Sequence, residues 1–431
     1  MKLSTLPVSI AMILFILLST TGAQAKDVTL DGATVAGPTS DIKVTYALNS
    51  TKKIARVKEV RNVGANGSRN TCVIPSKIKV NKTTYTVTII GKNAFGYETF
   101  SKVVLPSTIT EICESAFGNM GFLSKLEIPS SVTTIGKNAF YHTSLYSITI
   151  PASVTYIGEG AFAGNLLHYV TFAAGSAPLT IGANAFATNH IGVLTLPTRL
   201  ANLGTGAFSD NPRLTNVDIN GNITVIPARC FYNCTMLAFV NVNNRITTIA
   251  ESAFENCEIL GSFLPKYNSM VTIGKNAFAN CNFRTLDQST LGYGLTDIGP
   301  GAFSNNPNLT SVILPFTISS IGSGAFANCN NIATIDCHTL HVPLLAEDAF
   351  PAVVYKNCAV SVYDQIMPQF KTAAGWRLFN WPIAGIDDVT ISDDEFDVEY
   401  FNLRGEPVST PAAPGIYIER RNGKTRKIYI H

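Results

Sequence analysis

An Ala-Phe pair that returns at a nearly fixed interval constrains this chain more than any other feature. Its phenylalanines are Phe95, Phe117, Phe140, Phe162, Phe186, Phe208, Phe231, Phe254, Phe278, Phe303, Phe326 and Phe350, and alanine precedes eleven of the twelve. The mean spacing is about 23 residues, within the span of roughly 20 to 50 that marks repeat architectures. A chain that repeats in phase this often specifies one small unit to be stacked, and the stack replaces a single globular core.

The stretch FLSKLEIPSSVTTIGKNAF, residues 122–140, shows what one unit contains. Leu126 and Ile128 alternate with Lys125 and Glu127, the period of two expected of a short strand with one buried face. Pro129 stops that strand, because proline has no N–H to extend a ladder. The same proline stop follows VVL at 103–105, ITI at 148–150, LTL at 194–196 and VIL at 312–314. SVTTI then makes a second extended piece with Val132 and Ile135 inward, and GKNAF turns Phe140 into the core. One coil cannot cover its own apolar face, so the coils must stack with strands in parallel about 4.8 Å apart.

Lining the copies up separates chemistry from punctuation. TIGKNAF occurs at 134–140 and 272–278, but other copies replace Lys137 by Glu114, Glu159, Ala183, Thr205, Ala228, Pro300 or Ser323. No phosphate ligand survives that variation, and the further glycines of a phosphate loop are missing. Gly136 gives way to Cys113, Pro227, Ala250 or Ala346, so glycine is wanted there for its small size. The residue after the lysine is Asn93, Ser115, Asn138, Gly160, Asn184, Gly206, Ser252, Gly301 or Asp348, types that accept left-handed or capping backbone. Three residues past the phenylalanines stand Asn165, Asn189, Asn211, Cys234, Cys257, Cys281, Asn306 and Cys329. A turning backbone inside a solenoid leaves N–H and C=O groups short of partners, which small buried polar side chains satisfy. The nine cysteines therefore read as free structural thiols; a disulfide between stacked neighbours such as Cys234 and Cys257 is the alternative.

LEIPSSVTTIGKNAF at 126–140 and SVILPFTISSIGSGAFANC at 311–329 resemble the repeat of the BspA-like leucine-rich repeat proteins of bacterial surfaces. The resemblance covers roughly residues 75–382 and includes a closing segment, 358–383, with Trp376 and Phe379 as caps of the last coil. It implies an α/β solenoid: a right-handed superhelix of about twelve coils, mostly short parallel strands with turns and short helical turns, and β caps at both ends. SFLPKYNSM, 262–270, and RTLDQSTLGYG, 284–294, lack the regular strand pattern, so which side chains face inward is left open there.

The flanks set the expected domains at 1–25, 26–80, 81–385 and 386–431. Lys2, an apolar stretch and the small residues Ala23 and Ala25 read as a secretory signal peptide cleaved near Lys26, with an uncleaved anchor as the alternative. Residues 26–80 read as hairpins covering the first coil. An acidic linker, 387–397, leads to a tail of two or three strands with an Asn-Gly turn at 422–423. The tail also resembles a shortened sorting module of the type IX secretion pathway, which implies a Gram-negative envelope or exterior; a small β cap without a targeting role is the alternative.

Charged residues make up 14% of the chain and its net charge is +3. That is too weak a field to argue for nucleic acid. Cys337, His338 and His341 have metal-like spacing, but alternation sends Cys337 inward and His338 outward. Asp387, Asp388, Asp393, Asp394 and Glu395 lack the glycine of a calcium loop and read as a solvated linker. Arg420, Arg421, Lys424, Arg426 and Lys427 read as a charged hairpin edge. No catalytic residue, metal or cofactor is expected. The outward strand positions Glu127, Thr149, Thr171, Thr195, Asp218, Asn241 and Asp336, with Val104 and Ile313, are the candidate binding surface. Expected partners are a protein or glycan on host or neighbouring cells, and the family resemblance implies adhesion; a structural or carbohydrate-binding accessory protein of the bacterial envelope is the alternative.

Overall fold

The computed structural model of the chain describes residues 26–31, 35–36, 42–62, 71–242, 245–265, 270–381, 398–402, 407–408, 415–421 and 424–430. The expected leader, the acidic linker and the Asn-Gly turn lie outside the described residues. The fold is a β-solenoid in two compact units. One unit runs to Thr215 and takes in Asn220–Asn222; the other holds Asn216–Ile219 and continues from Ile223.

In the first unit each coil contributes a main strand, a second strand of two to four residues and a tight turn. The second strands line up in parallel as Glu111–Ile112, Thr134–Ile135, Tyr156–Ile157, Leu179–Ile181 and Leu200–Leu203. Thr83–Ile90 joins this line in parallel and is itself paired in parallel with Ile54–Asn62. Antiparallel strands Ile42–Asn49 and Lys26–Asp31 complete the edge, and Lys77–Val80 folds back on Thr83–Ile90. The N-terminal cover therefore continues one of the solenoid's own sheets, and solenoid backbone that would otherwise form an open edge is hydrogen-bonded.

The turn explains why alanine and phenylalanine travel together. Phe117 N–H donates to Ala139 O at 2.8 Å and Phe140 N–H to Ala161 O at 2.7 Å, so each alanine carbonyl takes the phenylalanine amide of the preceding coil. The alanines are buried beside the rings, and so is Cys230, the one residue that stands in their place. From Phe95 to Phe208 successive rings stack at 4.7, 5.0, 5.0, 5.1 and 5.3 Å.

In the second unit the rings from Phe231 to Phe350 stack at 5.3, 5.3, 5.4, 5.7 and 4.6 Å. All twelve phenylalanines are 3% exposed or less. The column ends on Phe379, whose ring meets Phe350 edge-on at 5.6 Å, while Trp376 is buried and donates its Nε1–H to Pro343 O at 2.8 Å. Two stretches without the regular strand pattern form strands nonetheless. Ser262–Pro265 is a strand in register with Phe239–Val242, and Phe263 is buried among Phe254 and Phe278. Thr285–Leu286 is also a strand, and Asp287 then caps a short helix, Gln288–Leu291, by accepting from Ser289 N–H and Thr290 N–H. In both places the ladder to the neighbouring coil imposes a strand that local alternation does not announce. The tail holds four antiparallel strands, one more than the two or three expected: Val398–Phe401, Pro407–Val408, Gly415–Arg421 and Lys424–Ile430.

Candidate binding surface

The outward face of the main strands is built by alternation, and register decides which side chains become neighbours. In the first unit Ser147–Ile150 pairs with Tyr169–Phe172, which sets Thr149 beside Thr171. Glu127, Thr149, Thr171 and Thr195 are all exposed, while Ile148, Ile150, Val170, Leu194 and Leu196 between them are buried. In the second unit Asp218 stands beside Asn241, whose Nδ2 donates to Asp218 Oδ1 at 2.7 Å. Ile313, Asp336 and Ser361 form another register-matched row there.

Aromatic groups near this face were not singled out from the sequence. In the first unit Tyr146 stacks on His168 at 4.3 Å and lies 5.8 Å from Tyr169. His168 Nδ1 is 2.9 Å from Leu166 O, and its Nε2 is 3.2 Å from Arg213 Nη1. Arginine can only donate, so Nε2 accepts and Nδ1–H donates, which orients the ring. A groove of about 360 Å³ opens beside these rings, lined by Tyr169, Thr171, Phe172, Val193, Thr195 and Pro197. It contains two of the expected surface residues, Thr171 and Thr195.

The residues with metal-like spacing do not converge. Cys337 is buried, His341 Nε2 lies 2.9 Å from Ile318 O, and His338 Nδ1 meets the Asp336 carboxylate. No group of three or more potential metal ligands occurs among the described residues. His338 Nε2 lies 3.3 Å from Ser361 Oγ, so acid, imidazole and hydroxyl stand in the order of a nucleophilic triad. The sequence signal for it was the period itself, since Ser361 lies one coil after His338. The Asp336 and His338 side chains are 39% and 36% exposed, and water around them withholds the dry, preorganised setting that makes such a set reactive.

No disulfide joins any of the nine cysteines, and Cys113 alone among them is not fully buried. The Asn/Cys column satisfies carbonyls as its position suggests. Asn189 Nδ2 donates to Phe162 O at 2.9 Å and Phe186 O at 3.1 Å, and its Oδ1 accepts from Leu167 N–H. Cys257 and Cys281 each reach the phenylalanine carbonyl one coil back, at 3.3 Å, and Cys281 Sγ also lies 3.9 Å from Ala279 O.

Residues 71–189, 176–284 and 262–355 match the family described as BspA type Leucine rich repeat region, in six copies. Among solved structures, the pneumococcal vaccine antigen PcpA is similar with a TM-score of 0.50 and 21% identity, over 80% of this chain and 97% of that one. A leucine-rich repeat protein from Bacteroides ovatus is similar with a TM-score of 0.51 and 20% identity, over 74% of this chain and 88% of that one. No curated protein sequence matches the chain.

Proposed function

Because the chain belongs to the BspA-type leucine-rich repeat family, we propose that it is a secreted or surface-displayed binding protein that mediates adhesion to host extracellular proteins or to other cells. The observation that carries this reading is the register of the outward strand positions, which sets Thr149 beside Thr171 and Asp218 beside Asn241 as rows of short polar side chains. Such a ribbed face meets a macromolecule through many small contacts, the way solenoids hold their ligands. No helix among the described residues is long and apolar enough to cross a membrane. Location at the cell exterior rests on the leader-like start of the sequence and the sorting-like tail.

Binding of the purified chain to matrix proteins, mucins and glycans tests the reading. Saturable binding to at least one protein, weakened by Asp218→Lys or Thr149→Lys, is the expected result. Binding to glycans without any protein would replace it with the second reading, a carbohydrate-handling accessory of the envelope, which the groove at Tyr169 and Thr195 favours. For location, export is expected to reach the surface with residues 386–431 and to stop short of it without them; unchanged display of the shortened chain would reduce the tail to a cap.

A further inference from the structure

The groove at Tyr169 arises where the regular ladder is interrupted. Tyr169–Phe172 and Val193–Leu196 are consecutive main strands of the first unit, yet they belong to different sheets. The intervening coil is longer than its neighbour: Phe172 to Gly182 is two residues more than Ile150 to Gly158. Phe172 also replaces an aliphatic residue. Ile128, Ile150 and Leu196 at that position are buried, whereas Phe172 is half-buried and meets Phe186 edge-on at 6.1 Å. The extra residues and the larger ring leave the gap between the strands.

The walls of the gap fix the chemistry of what can fill it. Tyr169 is 63% exposed and Val193 59%. The Thr171 and Thr195 hydroxyls project from the same face, and no charged residue lines the groove. Tyr146, on the preceding strand outside the groove, stands 5.8 Å from Tyr169 and stacks on His168, whose ring nitrogens are both engaged. A flat apolar surface beside neutral hydroxyls is matched by a ring with an apolar C–H face and a rim of hydroxyls. A volume of about 360 Å³ falls at the small end of ligand pockets.

We propose that this groove binds one uncharged pyranose unit of a glycan, stacked on Tyr169 and hydrogen-bonded by Thr171 and Thr195. This site goes beyond the adhesion reading, which concerns the strand face as a protein-binding surface. The lack of lining charge turns away acidic sugars, whose carboxylates would have no partner there.

The test is a titration of the purified full chain with neutral cello-, chito- and galacto-oligosaccharides and with a sialylated oligosaccharide. Saturable binding of at least one neutral sugar is expected. Tyr169→Ala should weaken it by about tenfold or more, and Thr195→Val by a smaller factor. Tyr169→Phe, which keeps the ring, and Tyr97→Ala, an exposed tyrosine outside the groove, should retain it. A groove without sugar affinity, a preference for the sialylated probe, or full affinity in a folded Tyr169→Ala chain overturns the proposal. Loss of matrix-protein binding with sugar binding intact sinks the adhesion reading alone.

Discussion

At the scale of single residues, the turn GKNAF shows how an identity is set by the coil next door. A Cβ placed on Gly136 would lie 2.6 Å from the backbone of Cys113, so the glycine column is where adjacent coils come closest. Lys137 is the dispensable member: its Nζ meets Glu159 Oε2 at 2.9 Å, but both side chains are half exposed. Such pairs contribute little. Asn138 has φ +53° and Gly160, its equivalent one coil on, has φ +60°. A Cβ on Gly160 would overlap Asn138 Oδ1, and the same holds for Gly206 against Asn184 and Gly301 against Asn276. At these three places asparagine in one coil is followed by glycine in the next, whereas Ser115 follows Asn93. Gly160→Ala should destabilise the fold by about 1–3 kcal/mol, and a double-mutant cycle with Asn138→Gly should recover part of that; independent effects in urea melts would refute the coupling. Phe140→Ala removes a ring stacked at 5.0 Å on both sides and should cost about 3–5 kcal/mol. Lys137→Ala should leave the melting midpoint essentially unchanged. The backbone strain at Asn138 was legible in the sequence, since asparagine, glycine, serine or aspartate stands there in every copy but one, where Arg229 takes the same left-handed conformation. A second left-handed position two residues past the phenylalanines carries the same kind of signal, since Asn119, Asn233, Asn256, Asn280, Asn305 and Asn328 occupy it, but it was not singled out from the sequence, and Tyr97, His142 and Thr188 depart from the type.

At the scale of one element, the turn after each main strand carries a ladder of hydroxyls. Thr108 Oγ1 donates to Val87 O, Ser131 Oγ to Ile109 O and Ser153 Oγ to Val132 O, each reaching one coil back. The next coil has Ala177 at this position and offers no donor to Val154 O. Arg199, one coil further on, fills the gap: its Nη1 donates to Val154 O at 2.6 Å and to Ala177 O at 3.3 Å, and its Nη2 donates to Pro151 O at 3.1 Å. The residue is only 7% exposed, and burial pulls the guanidinium pKa down from its ordinary value. Arg199→Ala should cost about 1–3 kcal/mol by removing the side-chain donor of Val154 O and Ala177 O, while Pro151 O keeps the Val154 N–H. Ala177→Ser should restore part of the loss by rebuilding the ladder; if it gives no recovery in a chemical melt, the hydroxyl equivalence is wrong. Sequence alone did not mark Arg199, because a lone arginine in a turn reads as solvated and its partners lie 45 and 48 residues away.

At the scale of the whole molecule, buried thiols couple stability to alkaline pH. Burial pushes Cys72 and Cys337 up to about 12, Cys113 to about 12 with help from the Glu111 hydrogen bond, and Cys329 and Cys358 to about 11. An unfolded thiol titrates near about 8.5. Between that pH and the folded values the unfolded chain releases protons that the folded chain keeps, so stability present below about pH 8.5 declines as pH rises toward 11. The urea midpoint should fall from pH 8 to pH 10.5, and less in Cys329→Ala measured against its own pH 8 value. An unchanged midpoint would show that the thiols are not buried in solution. The sequence by itself determined the repeating unit, its stacked phenylalanine core, the proline stops and the polar Asn/Cys column. Every coil makes the same demand at the same place, so twelve copies in one chain act as their own comparison. Only the tertiary structure decided what passes between coils: the Asn138–Gly160 dependence, the reach of Arg199, the His338–Ser361 approach and the groove at Tyr169. These depend on distances set by how unequal coils stack, and a change of two residues in one coil alters them without disturbing the periodic pattern that announces the fold.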